Sequence, residues 1–119
     1  MARKTRARRR KRFWNPYPDY MNKTIVTVVA TFEARPGKEA ELRAALTGLV
    51  APTRSEAGCL NYDLHQAAGD PGKFVFLENW TTQALLDAHL QSAHIKALLP
   101  RVDELCAAPP VISLWEQIA

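Results

Sequence analysis

The sequence predicts an α+β domain of the split βαβ, ferredoxin-like type: an antiparallel sheet with helices on one face. Three observations lead there. Two-residue and helical hydrophobic periods alternate along the chain in the order strand, helix, strand, strand, helix, strand. The two middle strands are separated only by Gly69-Asp70-Pro71-Gly72, a turn composition that suits a hairpin. And 119 residues, 47% of them hydrophobic, can bury one core without disulfides or a structural metal.

Along Thr24 to Ala34, Val26, Val28, Ala30 and Phe32 share one face while Thr27, Thr31 and Glu33 interrupt the other, the pattern of a half-buried strand. Pro36-Gly37 breaks it. Leu42, Ala45, Leu46, Leu49 and Val50 then recur at helical spacing, with Glu39, Glu41 and Arg43 turned elsewhere. The early acidic residues suit the positive end of the helix dipole, and Pro52 marks the expected stop. In Cys59 to Gln66, Leu60, Tyr62 and Leu64 alternate with Asn61, Asp63 and His65, giving a second strand; Lys73 to Trp80, rich in aromatic and branched residues, gives the third. Thr81 or Thr82 can cap a short helix reaching Leu90. Ser92 can cap another, in which Ile95, Leu98, Leu99, Val102, Leu105 and Cys106 share a face and Pro100 forces a bend. Pro109-Pro110 ends it, and Val111 to Ile118 supplies the last strand.

With helices on one face only, apolar residues such as Ile25 and Val29 are left on the other, which invites a second copy packed sheet to sheet. A homodimer is therefore expected. Cys59 and Cys106 are far apart and read as small buried thiols. No apolar run is long enough for a membrane span or a signal-peptide core, so no membrane partner and a cytoplasmic location are expected. The formal charge of +4 is unevenly spread: residues 1–20 hold eight basic residues against Asp19 alone, leaving the remainder at −3. The chain thus divides into a basic extension without secondary structure, 1–22, and a mildly acidic domain, 23–119. Such an extension could meet nucleic acid or anionic membrane through counterion release. The plainer reading, an upstream extension before Met21, is preferred, so nucleic acid is expected as a partner only through that tail.

Phe74 to Leu99, FVFLENWTTQALLDAHLQSAHIKALL, has an aromatic strand ending in Glu-x-Trp followed by a helix with Ala-His-Leu and a further His. With ATFEARPGKEAEL (Ala30 to Leu42) and EAGCLNYDLHQ (Glu56 to Gln66), it gives three stretches, in order, that resemble the antibiotic biosynthesis monooxygenase (ABM) family. The resemblance implies a dimeric α+β barrel and, in its bacterial quinol monooxygenase flavour, oxidation of electron-rich dihydroxyaromatics by molecular oxygen without metal, flavin or haem. Relatives that degrade haem use an Asn, a Trp and a His. By alignment those positions hold Ala30, His89 and Leu99, so that activity is not expected.

A cofactor-free oxygenase makes its substrate the electron donor, so it must deprotonate a phenolic or enolic hydroxyl and hold the anion. His89 is the first candidate base, because it lies on the helix that should cap the pocket and imidazole titrates near neutrality; the plain alternative is a histidine bonding a carbonyl at the core edge. Glu78 could orient the base or a substrate hydroxyl, or serve only a structural hydrogen bond. Trp80, Tyr62 and Phe76 are candidate walls, with Tyr62 and Asn61 on opposite strand parity and Tyr62 the better placed. His94 is a further substrate contact, but at i+5 and beyond the Ser92 cap it should not converge with His89. His65 points to the dimer interface or solvent. Three histidines without compact spacing favour no metal, and no cofactor is expected. No nucleophile elbow or phosphate-binding Gly-rich loop occurs. The leading expectation is a monooxygenase acting on a small hydroquinone-like or polyketide-like aromatic; the alternatives are an isomerase of small hydroxyketones and a non-catalytic dimeric ligand-binding module.

Overall fold

The computed structural model describes residues 24–119; the basic extension expected at 1–22 lies outside the described residues. Four strands, β1 (Val26–Glu33), β2 (Cys59–Ala67), β3 (Asp70–Trp80) and β4 (Val111–Trp115), form one antiparallel sheet in the order β2-β3-β1-β4. This is the expected ferredoxin-like topology. Helices α1 (Glu39–Thr47) and α2 (Val50–Arg54) connect β1 to β2. Helices α3 (Gln83–Leu90) and α4 (Ala93–Leu98), a 3-10 turn at Leu99–Arg101 and α5 (Val102–Leu105) connect β3 to β4.

Strand register turns the sequence alternation into rows of side chains. On the helix-covered face one row runs Tyr62, Glu78, Val28, Leu114 across all four strands, and the next runs Leu64, Phe76, Ala30, Ile112. Val28, Ala30, Tyr62, Phe76 and Trp80 are buried there against Leu42, Leu46, Leu49, Leu86, Leu98 and Leu105 of the helical layer. Truncating a buried aromatic of this kind to alanine costs about 3–5 kcal/mol, so this face is the core. The other face carries Asn61, Asn79 and Thr27 in a row joined by hydrogen bonds of 2.7 and 2.6 Å, beside Leu77 and Val29. It is mixed in polarity, as anticipated.

Several boundaries differ from expectation. The first helix does not stop at Pro52: it breaks at Gly48 and resumes as α2, where Pro52 occupies the first turn and needs no intrahelical acceptor for a missing N–H. The hairpin turns at Ala68-Gly69, and Asp70 already pairs with Ala67, so Pro71 and Gly72 belong to the strand. A bulge between Cys59 and Asn61 brings Cys59, opposite Trp80, to the core face where Leu60 was expected. The last strand ends at Trp115, and Leu99 is exposed. Thr82 and Ser92 do cap α3 and α4, accepting from the Leu85 and Ile95 amides, and Pro100 does interrupt the helix as a 3-10 turn. Among the described residues no helix is long and apolar enough to cross a membrane.

Candidate active site

Between the core face of the sheet and α3, α4 and α5 lies a cavity of about 390 Å³. Its walls are almost wholly apolar: Val28, Phe32, Tyr62, Phe76, Leu86 and Leu98 are among them. Leu90, Leu99, Ile112 and Leu114 line it and are exposed, which marks the side on which the cavity opens. Among the described residues the lining carries the polar side chains of Glu78, His89 and Gln83 and the phenol of Tyr62. A largely apolar hollow with a few convergent polar groups is the usual form of a small-molecule site.

Glu78 owes its place to strand register. It stands in the middle of the sheet between Tyr62 and Val28, at 4% exposure. Two residues on, Trp80 points to the same face and its Nε1–H donates to Glu78 Oε1 over 2.9 Å. Burial pushes the Glu78 carboxyl up from its ordinary 4.5 to about 7, against the pull of the Trp80 N–H, and the charge of Glu56 adds to the rise. Burial likewise drives the Tyr62 phenol upward, with Glu78 reinforcing it, so Tyr62 remains a neutral wall. Its ring stacks on Phe76 at 4.4 Å.

His89 is 2% exposed near the end of α3, with its ring held between Trp80 (4.7 Å) and Tyr62 (5.4 Å). Its Nδ1 lies 2.7 Å from Glu56 Oε2, and the Nε2 of His94 lies 2.9 Å from the same oxygen. The expectation that the two histidines would not converge is therefore corrected. It rested on the angle around one straight helix; the chain instead turns at Gln91-Ser92, and the first turn of α4 brings His94 back toward His89. Burial lowers the His89 pKa, opposed by the hydrogen bond and charge of Glu56 and assisted by His94. The imidazole is thereby kept toward its neutral form.

Glu56 is the residue that sequence reasoning missed. It sits in the turn before β2, 33 residues from His89 and 38 from His94, so no local spacing announces it. The one sequence signal is Gly58. Its φ is +81°, and a Cβ there would lie 2.5 Å from Leu85 Cδ1 and 2.9 Å from Thr81 Oγ1. The turn thus passes directly beneath the start of α3, fixed by the Thr81 amide donating to Gly58 O at 2.9 Å. That close approach sets Glu56 under the two imidazoles.

Of the other residues singled out, Tyr62, Phe76, Glu78 and His89 come together at the cavity. Trp80 stands behind Glu78 and His89 and is not part of the lining. His94 reaches Glu56 and likewise lies outside the lining, while Asn61 is on the opposite sheet face, bonded to Asp63, Asn79 and the Leu77 carbonyl. His65 is exposed. Cys59 and Cys106 are free thiols; burial and the nearby Glu56 and Glu78 push Cys59 up to about 11, which leaves it a poor nucleophile.

Fold and cavity together define a ferredoxin-like α+β protein with a largely apolar pocket whose lining includes a buried acid and a buried imidazole. The profile of the family "Antibiotic biosynthesis monooxygenase" matches residues 25–101, and the chain belongs to that family. It is 37% identical to Rv0793 of Mycobacterium tuberculosis over 89 residues, covering 75% of this chain and 87% of that one. To YcnE of Bacillus subtilis it is 31% identical over 85 residues, 71% and 90% of the two chains. Both bear the provisional name of monooxygenase. Among solved structures, PA3566 from Pseudomonas aeruginosa superposes with a TM-score of 0.77 at 36% identity, covering 81% of this chain and 96% of that one. The structure of Rv0793 gives 0.76 at 33%, covering 81% and 97%.

Proposed function

We propose that the protein is a cofactor-independent monooxygenase that oxidises a small hydroquinone-like or polyketide-like aromatic with molecular oxygen. The observation that carries this reading is that His89 and Glu78, each in contact with the Trp80 indole, both line a largely apolar cavity. With Nδ1 engaged by Glu56, the far nitrogen of His89, Nε2, is free to take the proton of a phenolic hydroxyl. Glu56 acts as a positioning residue that holds the ring and offsets the charge it acquires. On Glu78, Oε1 accepts from Trp80, so a carboxyl proton sits on Oε2 and can donate to the phenolate oxygen. The apolar walls keep water from the electron-rich anion while dioxygen, itself apolar, can enter. For a phenol oxidised to a quinone the balance closes without a cofactor: one oxygen atom stays on the ring, the other leaves as water, and the substrate supplies all four electrons.

Oxygen uptake with a panel of hydroquinones and phenols tests the reading. Stoichiometric uptake with formation of the quinone is the expected result. Turnover of hydroxyketones under anaerobic conditions would favour the isomerase, and saturable ligand binding without any turnover would favour a binding module.

We further propose that the working form is a homodimer packed through the sheet face that none of the described helices covers. Leu77, Val111 and Trp115 are exposed on that face, beside the half-buried Val29 and the hydrogen-bonded row of Thr27, Asn79 and Asn61. Sedimentation equilibrium should give twice the chain mass, and Val29→Lys should return it to the monomer. A parent that sediments as a monomer at micromolar concentration would rule this arrangement out.

A further inference from the structure

We propose that Glu56, His89 and His94 form a binding site for a first-row divalent transition-metal ion of the Zn²⁺ class, and that the ion and the base function of His89 exclude one another. The second half rests on the reading above; the first does not.

The donor atoms, Oε2 of Glu56, Nδ1 of His89 and Nε2 of His94, lie within 4.8 Å of one another. Two imidazoles and one carboxylate are the donor set that first-row transition ions prefer, whereas Mg²⁺ and Ca²⁺ look for oxygen alone. Three protein ligands also leave a coordination position for water. An ion held at roughly 2.0–2.2 Å from each donor needs neighbouring donors roughly 3–3.5 Å apart. The two contacts now spanning 2.7 and 2.9 Å would open by a few tenths of an ångström, while the two imidazole nitrogens, within 4.8 Å of each other, would draw together by rotation of the partly exposed His94 side chain.

Access and support are both present. The side chains of Glu56 and His94 are 19% and 21% exposed, so an ion can arrive from solvent on the side away from the cavity. His89 is fixed by the rings of Trp80 and Tyr62, His94 by the Ser92 cap at the start of its helix, and Glu56 by the turn at Gly58. Each donor therefore projects from a different, independently anchored piece of chain. That pre-arrangement lowers the ordering cost of coordination.

The ion would take the place of the hydrogen between His89 and Glu56. A neutral imidazole ligated through Nδ1 carries its proton on Nε2, the nitrogen assigned above to receive the substrate's proton. With the ion bound, His89 can donate into the cavity but cannot accept. Free zinc then becomes an off-signal for the reaction.

The test uses the full chain, untagged and dialysed against a chelator, titrated calorimetrically with ZnCl₂ and optically with Co²⁺. One ion per chain is expected, with visible d–d bands for Co²⁺ and a higher melting temperature with Zn²⁺. His94→Gln should weaken binding by at least about 10-fold, the lower bound for losing even an outer partner of a metal site, and should abolish the bands. His65→Gln, at an exposed histidine of β2, should change nothing. No saturable binding below millimolar Zn²⁺, unaltered affinity in His94→Gln, or loss of affinity in His65→Gln would each overturn the site. Where a turnover assay exists, zinc should inhibit over the concentration range in which it binds. Binding with undiminished turnover would overturn the mutual exclusion, and the binding measurements stand whether or not any substrate is turned over.

Discussion

Replacing His89 with glutamine is expected to lower kcat about 10²- to 10⁴-fold, the range that a positioned general base supplies, equivalent to about 3–5.5 kcal/mol of barrier. Glutamine fills much of the space between Trp80 and Tyr62 and can still bond Glu56, but it cannot accept a proton at neutral pH. The loss should fall on kcat with little change in KM, because the apolar walls proposed to bind the substrate stay in place. Steady-state oxygen uptake on the variant and parent, with circular dichroism to verify the fold, makes the comparison. Turnover within a factor of two of the parent would remove His89 as the base and shift attention to Glu78.

Exchanging Glu78 for glutamine should act on stability and on the pH profile in opposite senses. The folded-state pKa of Glu78 is raised, from 4.5 to about 7. Its contribution to stability is therefore fully present below pH 4.5 and is lost as pH rises through 7, where the buried carboxyl must ionise beside Glu56 and near Tyr62, Cys59 and His89. The loss across that window is about 3 kcal/mol. Glutamine keeps an acceptor for Trp80 and has no proton to lose. Urea unfolding should show Glu78→Gln close to the parent at pH 5 relative to its stability at pH 8, where the variant gains about 3 kcal/mol on the parent. In the activity profile, the parent should decline above pH 7 as the donor to the phenolate disappears, and the variant should lack that decline while turning over more slowly. Parallel stability curves for the two proteins between pH 5 and pH 8 would show that this carboxyl is not held protonated.

Much of the fold is legible in the residues because its signals are local. The two-residue period of Val26 to Phe32 needs only one strand to be recognised, and Thr82 and Ser92 each act on an amide three residues away. The misplaced boundaries share a cause. Pro52 is a helix stop only if the helix began long before it, and the break at Gly48 makes it a helix start; the Gly69-to-Gly72 run contains several possible turns, and the strand pairing selects the earliest. The site divides in the same way. Glu78, Trp80, Tyr62 and Phe76 were within reach because strand parity orders them, whereas the meeting of Glu56, His89 and His94 depends on how three separate segments pack. His94 shows the difficulty most directly: the helix break that argued against its approach to His89 is what produces it.

The hydrogen bond from Trp80 to Glu78 gives the molecule an optical reporter of its own. An indole buried from solvent, with its N–H bound to a carboxyl that gains a negative charge near neutrality, changes emission wavelength as that charge appears. Trp115 lies on the sheet face proposed to meet a second copy and would report that contact, so in a protein whose tryptophans other than Trp80 are replaced by phenylalanine, fluorescence would follow the ionisation of one carboxyl without any added dye. A ligand that engages Glu78 or His89 in the cavity would be read by the same indole through its contacts with those two side chains, before any chemistry begins.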